Sequence, residues 1–250
     1  MINILLLLIY DENDVNDEYK EMLKIQRMYV HTHKNIDAYF VMYRENQEEE
    51  VLVENDFIYV RGKEGHLQIL NKTLVAMEYL TNIKHYDYII RTNISTIFKL
   101  TEVYGFLLNE LDRTEIYTGG NCFVLFTYRN ANMGITDETN KYYKIMGCPF
   151  VQGTCILLSN DVVKYMINHK DKFIYEVVDD VSIGLFMRSF MNHIHEKLNT
   201  TKRIQINTNC SYPGSVIRNK TDDSRETDVI NMREYVNTYL TGITGITGIN

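Results

Sequence analysis

The chain has 250 residues, 45% hydrophobic and 24% charged, an ordinary globular composition whose length admits one large domain or two small ones. Its 26 basic and 33 acidic residues leave a formal net charge of −7, which excludes a nucleic-acid binder that works by neutralising phosphates. Cys122, Cys148, Cys155 and Cys210 are widely spaced and make no metal pattern, so they are expected to be reduced and packed as small hydrophobes.

Residues 4–10 form a continuous apolar run. It lacks a basic leader and a small-residue cleavage site and falls well short of the ~20 residues of a membrane span, so it reads as a central strand covered on both faces. A cytoplasmic protein without a transmembrane segment follows. Asn-x-Ser/Thr tripeptides such as Asn71-Lys72-Thr73 are then chance matches in an asparagine-rich chain. Residues 11–17 are an acidic loop at the strand's carboxyl end, and Asn16 or Asp17 caps a helix to about Thr32, with Tyr19, Met22, Leu23, Gln26 and Val30 near helical spacing. A second strand spans 38–43, an acidic connector 47–54, and a short strand 56–60. Leu67, Leu70, Leu74, Met77 and Leu80 make a helical stripe over 67–83. A buried strand, 88–90, then stops in a polar elbow, 91–95.

Further on, the pattern predicts a helix over 100–111, a strand over 116–120, another over 122–128, and a long tyrosine-bearing loop over 129–147. Residues 150–158 read as a strand with Gln152-Gly153-Thr154 inside it, followed by a helix over 161–168 capped by Asn160. Asp179-Asp180 opens a helix over 181–198, 204–207 is a late strand, 212–225 a polar loop and 228–240 an amphipathic helix. Strands alternating with helices predict one α/β domain over 1–240 with a mostly parallel, Rossmann-like mixed sheet flanked by helices; the Thr-Gly-Ile repeats of 241–250 are expected to be a disordered tail. The pairs His31/His33 and His193/His195 lack the i,i+4 spacing of a helical metal site.

Several segments, in order, resemble the β-1,3-galactosyltransferase and Fringe-like glycosyltransferases, which have the GT-A fold. Asn55-Asp56-Phe57-Ile58-Tyr59-Val60 and Asn71-Lys72-Thr73-Leu74 partly match a stretch that precedes the family's metal motif; the family's lysine falls on Val75. The family's YxxKxDDD is represented by residues 86–95, YDYIIRTNIS. Its glycine-bearing strand is matched by residues 149–161, and its E/D-D-V-x-x-G by residues 179–184, DDVSIG. The resemblance covers roughly residues 50–190. It implies a nucleotide-sugar-dependent transferase of inverting mechanism, with a UDP sugar as donor and a glycan hydroxyl as acceptor.

On this resemblance Asp180 is the catalytic base and Asp179 a helix cap or acceptor contact, with Gln152 and Gly153 on the acceptor side. By itself an Asp-Asp pair before a helix is a cap, and a Thr-Asn-x-Ser elbow a turn. In open α/β sheets, however, ligands sit beyond the carboxyl ends of strands, which puts Arg91, Thr92, Asn93 and Ser95 at the donor, with Tyr10 and Asp11 against the nucleotide base. The family's metal-binding aspartates are replaced by Asn93-Ile94-Ser95. Neutral oxygens are poor sole ligands for Mn²⁺ or Mg²⁺, so no cofactor is certain and a divalent cation stays open as the alternative; without one the diphosphate needs side-chain cations, for which Arg218 and Lys220 are the candidates. A catalytically silent binding protein of the same fold is the alternative. A nucleotidyltransferase ranks last, because residues 10–17 hold no glycine- and lysine-rich phosphate loop.

Overall fold

The computed structural model describes residues 1–11, 17–124, 131–204, 206–207, 215–218, 220 and 224–244. In chain order its elements are β1 (Ile4–Ile9), α1 (Asp17–Tyr29), β2 (Ile36–Arg44), β3 (Val51–Glu54), β4 (Phe57–Arg61), α2 (Ile69–Ile83), β5 (Tyr88–Asn93), β6 (Thr96–Phe98), α3 (Leu100–Glu110) and β7 (Tyr117–Gly119). There follow β8 (Cys122–Val124), α4 (Asp137–Tyr143), β9 (Pro149–Val151), β10 (Cys155–Ser159), α5 (Asn160–Asn168), α6 (Asp179–Phe190), α7 (Asn192–His195), β11 (Ile206–Asn207), β12 (Val216–Arg218) and α8 (Arg225–Thr244).

The all-apolar run of β1 places it at the centre of a seven-stranded mixed sheet ordered β3-β4-β2-β1-β5-β10-β7. β1 pairs in parallel with β2 on one side and β5 on the other, while β10 runs antiparallel to both β5 and β7. Alternate residues of β1 enter different cores. Ile4, Leu6 and Leu8 pack with Met22 and Ile25 of α1, Val103 of α3 and Met232 of α8. Leu5, Leu7 and Ile9 pack with Leu74 and Met77 of α2, Val162 of α5 and Phe186 of α6. Each such side chain, fully buried, contributes about 1.5–3 kcal/mol, and this two-sided burial is what covers both sheet faces with helices. A smaller cluster around Ile135, Ile145, Phe150, Val181 and Leu185 joins α4 and β9 to α6.

The mixed sheet between helical layers is the architecture expected, but several segments differ from the sequence reading. The acidic connector contains β3, which folds back on β4 as a hairpin with Asn55 in the left-handed region at φ 58°. Strand β5 runs on through Arg91, Thr92 and Asn93, so the elbow starts later than expected. The loop expected over 129–147 contains α4, closed at its start by a reciprocal capping box between Thr136 and Thr139. Gln152–Thr154 does not lie inside a strand but turns the chain between β9 and β10. Asn160 is not a cap; its side-chain amide donates to the carbonyl of Tyr86, and Ser159 precedes the helix. The helix expected over 181–198 starts at Asp179 and breaks at Met191. The polar loop after residue 212 contains β12, and α8 continues to Thr244, four residues into the expected tail.

Cys122, Cys148 and Cys155 are unpaired thiols, the last two buried; Cys210 lies outside the described residues, as do 125–130 of the predicted strand and loop. Among the described residues no helix is long and apolar enough to cross a membrane.

Candidate functional site

β1 and β5 are neighbours whose connections leave in opposite directions, and a crevice opens beyond their carboxyl ends, the place where open α/β sheets hold ligands. A cavity of about 300 Å³ lies there. Ile9, Tyr10 and Asp11 line it from the end of β1, Asn93, Ile94 and Ser95 from the end of β5, and Tyr19 from α1. Glu64, Gly65, His66, Ile69 and Lys72 close it from the β4–α2 connection and α2, and Arg218 and Lys220 from β12 onward. Six of the candidates named from sequence thus converge: Tyr10, Asp11, Asn93, Ser95, Arg218 and Lys220.

Their roles in the wall differ. The Tyr10 ring is 6% exposed and belongs to the core, so it forms a wall rather than a free stacking face. Ser95 is buried, Asn93 half-buried and Lys220 exposed. Gln26 of α1 fixes the turn beneath them, its amide donating to the carbonyls of Ile94 at 2.8 Å and Thr96 at 2.6 Å. Lys72 was not anticipated, because a helix lysine ordinarily reads as a solvated face. It is 1% exposed and donates to the carbonyl of Tyr10 and to both carboxylate oxygens of Glu64 at 2.7–2.8 Å. Burial lowers its pKa against the opposing pull of Glu64. Two loops that wall the cavity are thereby tied to one helix.

Arg91 and Thr92, which the sequence reading put at the donor, do not line the cavity. Pleating sends Thr92 to the opposite sheet face, where its hydroxyl donates to the carbonyl of Thr154 at 2.7 Å. Arg91 is 2% exposed and points along the sheet to the start of α6. Its Nη2 lies 2.7 Å from the Asp179 carboxylate, and its Nη1 donates to Oδ1 of Asn93 at 2.8 Å and to the carbonyl of Gly153. Extending β5 by three residues converted a presumed strand-end charge into a buried one.

Asp179 is therefore occupied as the counterion of Arg91. Asp180, half-buried, is held by the backbone N–H groups of Gly153 at 3.0 Å and Val181 at 2.8 Å. Burial first, and then the charge of Asp179, push its pKa up to about 6, against the opposing influence of those N–H groups and Arg91. Gly153 touches Asp180 through its backbone, and Gln152 shapes that turn by accepting at its carbonyl from Cys155 N–H at 3.2 Å. Arg218 donates from Nη1 to the Thr154 hydroxyl at 2.7 Å while lining the cavity, so it stands between the cavity and the carboxylate pair. β12 brings it there through antiparallel pairing with β6, where Arg218 is opposite Thr96.

A family model described as Galactosyltransferase matches residues 15–199 of the chain. The chain belongs to the galactosyltransferase family. Membership makes the protein a nucleotide-sugar-dependent glycosyltransferase, and its sheet that of the GT-A fold. No curated protein matches this galactosyltransferase-family chain in sequence. Solved structures similar to it include a glycosyltransferase involved in glycosylation of the major capsid of PBCV-1, at a TM-score of 0.47 and 8% identity over 93% of this chain and 99% of that one. The galactosyltransferase LgtC, in complex with donor and acceptor sugar analogues, aligns at a TM-score of 0.41 and 13% identity over 98% and 97%. The mannosyltransferase PcManGT from Pyrobaculum calidifontis, in complex with GDP-Man and Mn²⁺, aligns at 0.45 and 8% identity over 100% and 66%.

Residues 93–95, which the sequence resemblance sets against the family's metal motif, do not suit a divalent cation. Asn93 Oδ1 already accepts from Arg91 Nη1, Ile94 has no side-chain ligand atom, and Ser95 offers one neutral hydroxyl. Among the described residues no three His, Cys, Asp or Glu side chains form a metal-holding group. His195 is a structural residue: its Nε2 pairs with the Pro149 carbonyl at 2.9 Å beside the buried Cys148, whose thiol pKa burial raises.

Proposed function

We propose that the protein transfers a sugar from a UDP-sugar donor to a hydroxyl of a glycan, with inversion at the anomeric carbon. The nucleotide diphosphate occupies the cavity, and the acceptor approaches on the side of Gln152 and Gly153. Asp180 accepts the proton of the acceptor hydroxyl as its oxygen bonds to the anomeric carbon. The bond from that carbon to the diphosphate oxygen breaks, and the diphosphate leaves with the electron pair.

The observation that carries this reading is the placement of Arg218. One guanidinium lines the cavity and borders the cluster that holds Asp180, as a group between leaving diphosphate and base must. Preorganised cations at the developing charge supply what a divalent ion otherwise would. Inversion is supported by the state of the two aspartates. Asp179 is engaged by Arg91, so a single carboxylate is left for one proton, in keeping with a single displacement. A raised pKa near 6 keeps Asp180 ionised at neutral pH and basic enough to act.

The test is a thermal-shift panel of UDP, GDP and dTDP sugars, each with Mn²⁺ and with EDTA, on the natural protein and on Asp180→Asn. A UDP sugar is expected to raise the melting temperature of both by mass action, with the shift surviving EDTA, while Asp180→Asn loses transfer. A shift that needs Mn²⁺ would overturn the role given to Arg218. Turnover retained by Asp180→Asn would remove it as the base, and a product with the donor's anomeric configuration would rule out inversion.

A further inference from the structure

Arg91 is an expensive side chain to keep in the middle of a sheet. Burying its guanidinium forfeits hydration that pairing with one carboxylate offsets only in part, and apolar groups of like volume often serve stability as well. Its neighbours in register, Leu7 on β1 and Ile156 on β10, are of that apolar kind. Its Nε is buried with no hydrogen-bond partner among the described residues. Packing does not account for it.

Its contacts do. Asn93, which takes one bond, is in the wall of the donor cavity. Gly153, which takes another through its carbonyl, gives its N–H to Asp180. Asp179, the ion partner, directly precedes Asp180 at the start of α6. One buried side chain therefore touches the cavity wall, the turn that holds Asp180 and the residue that precedes Asp180.

We propose that Arg91 is the positioning residue of the transfer step. It sets the donor-holding end of β5 and the turn and helix start that carry Asp180 at one fixed separation, and by pairing with Asp179 it leaves Asp180 as the carboxylate that takes the proton. This rests on the reading of Asp180 as the base. Among the described residues, the charged and titratable groups facing Asp180 are Asp179 on its own helix, Arg91 from β5, Arg218 from β12 and Tyr117 from β7. Loss of the Arg91 cation leaves two carboxylates sharing one site, which raises the pH at which the base becomes available; loss of the Asp179 anion lowers it.

The experiment compares the full-length natural protein with Arg91→Met, Asp179→Asn, the double variant and Asp180→Asn. It measures kcat/KM from about pH 5 to 9 and the donor Kd. Arg91→Met is expected to move the acidic limb up by about one pH unit and to lower kcat about 100-fold, with donor Kd within a few-fold. Asp179→Asn moves the limb down, and the double variant brings it back toward the natural position. Should Arg91→Met fail to fold, Asp179→Asn and the double variant, which buries neither charge, carry the comparison. Unmoved limbs, with activity lost only in proportion to the unfolded fraction, would overturn the positioning role alone. Transfer retained by Asp180→Asn would overturn the base and this inference together.

Discussion

Burial and the Asp179 carboxylate raise the pKa of Asp180 from an ordinary 3.8 to about 6, so the folded chain holds that proton more tightly than the unfolded chain does. Below the unfolded value both states are protonated and the group's favourable contribution is fully present. As pH rises through the folded value that contribution is lost, and above pH 6 the fold carries the whole cost of the ionised acid. Asp180→Asn should therefore melt higher than the natural protein at pH 7.5, on a scale of about 2–4 °C per kcal/mol, with the gain shrinking toward pH 4. Calorimetry at the two pH values checks it; a lower melting temperature at pH 7.5 would contradict the buried-acid description. With Asp180 as the proposed base, catalytic rate is expected to have the opposite trend over the same window, falling as Asp180 takes up its proton. Around this residue, the sequence placed the Asp179-Asp180 pair at the start of a helix, where the structure has it. It failed where burial reversed the expected role. Arg91 and Lys72 are both nearly inaccessible, and a single chain of letters does not show that Glu64 and Asp179 wait inside to receive them.

Two of the closely packed glycines, Gly184 and Gly153, separate stability from chemistry. A Cβ on Gly184 of α6 would lie 2.5 Å from the Phe150 Cβ and 3.0 Å from the Pro149 carbonyl, so Gly184→Ala must push α6 off β9. Overpacking of this kind costs about 1–3 kcal/mol, and we expect a lower melting temperature with kcat of the folded enzyme retained. At Gly153 the Cβ would lie 2.7 Å from Nη1 of Arg91 and 3.5 Å from Oδ2 of Asp180. Gly153→Ala should lose kcat out of proportion to its melting temperature, and equal kcat in the two variants would contradict this. Elements with strong periodicity were legible: the unbroken apolar run of β1, the stripe of α2, the strand leading to residue 90. The others were hidden for physical reasons. β3 sits amid four glutamates, β6 and β12 have three residues each, too few for alternation to register, and α4 buries none of its residues and owes its start to a capping box. Short elements of this kind are decided by partners that are distant in sequence.

Taken whole, the molecule assembles its site from both sides of the family match. Residues 15–199 contain Asn93, Gly153 and the aspartate pair, but Arg218 and α8 come after them, and β1 begins before them. Val229, Met232 and Val236 of α8 pack into the same core as α1, so the C-terminal helix belongs to the fold as fully as the first strand does. Arg218→Ala should weaken binding of a UDP sugar by about 10- to 100-fold, the range for a charge-assisted contact to a phosphate, with a smaller loss for Arg218→Lys, which keeps the charge but not the fork. Titration calorimetry in EDTA reads this directly; unchanged affinity would exclude the arginine from the donor site.

The pairing of β12 with β6 spans three residues, Val216 with Phe98, Ile217 with Ile97 and Arg218 with Thr96. That ladder works as an address. Because side chains alternate faces, a slip of one residue would turn the guanidinium away from the cavity and bring its neighbour round in its stead. The protein thus stores the location of its cation in backbone spacing, legible to no local motif. On the proposed role of Arg218, a descendant of this chain could change how it handles the leaving diphosphate by gaining or losing a single codon between Val216 and Arg218, with every residue of the family match untouched.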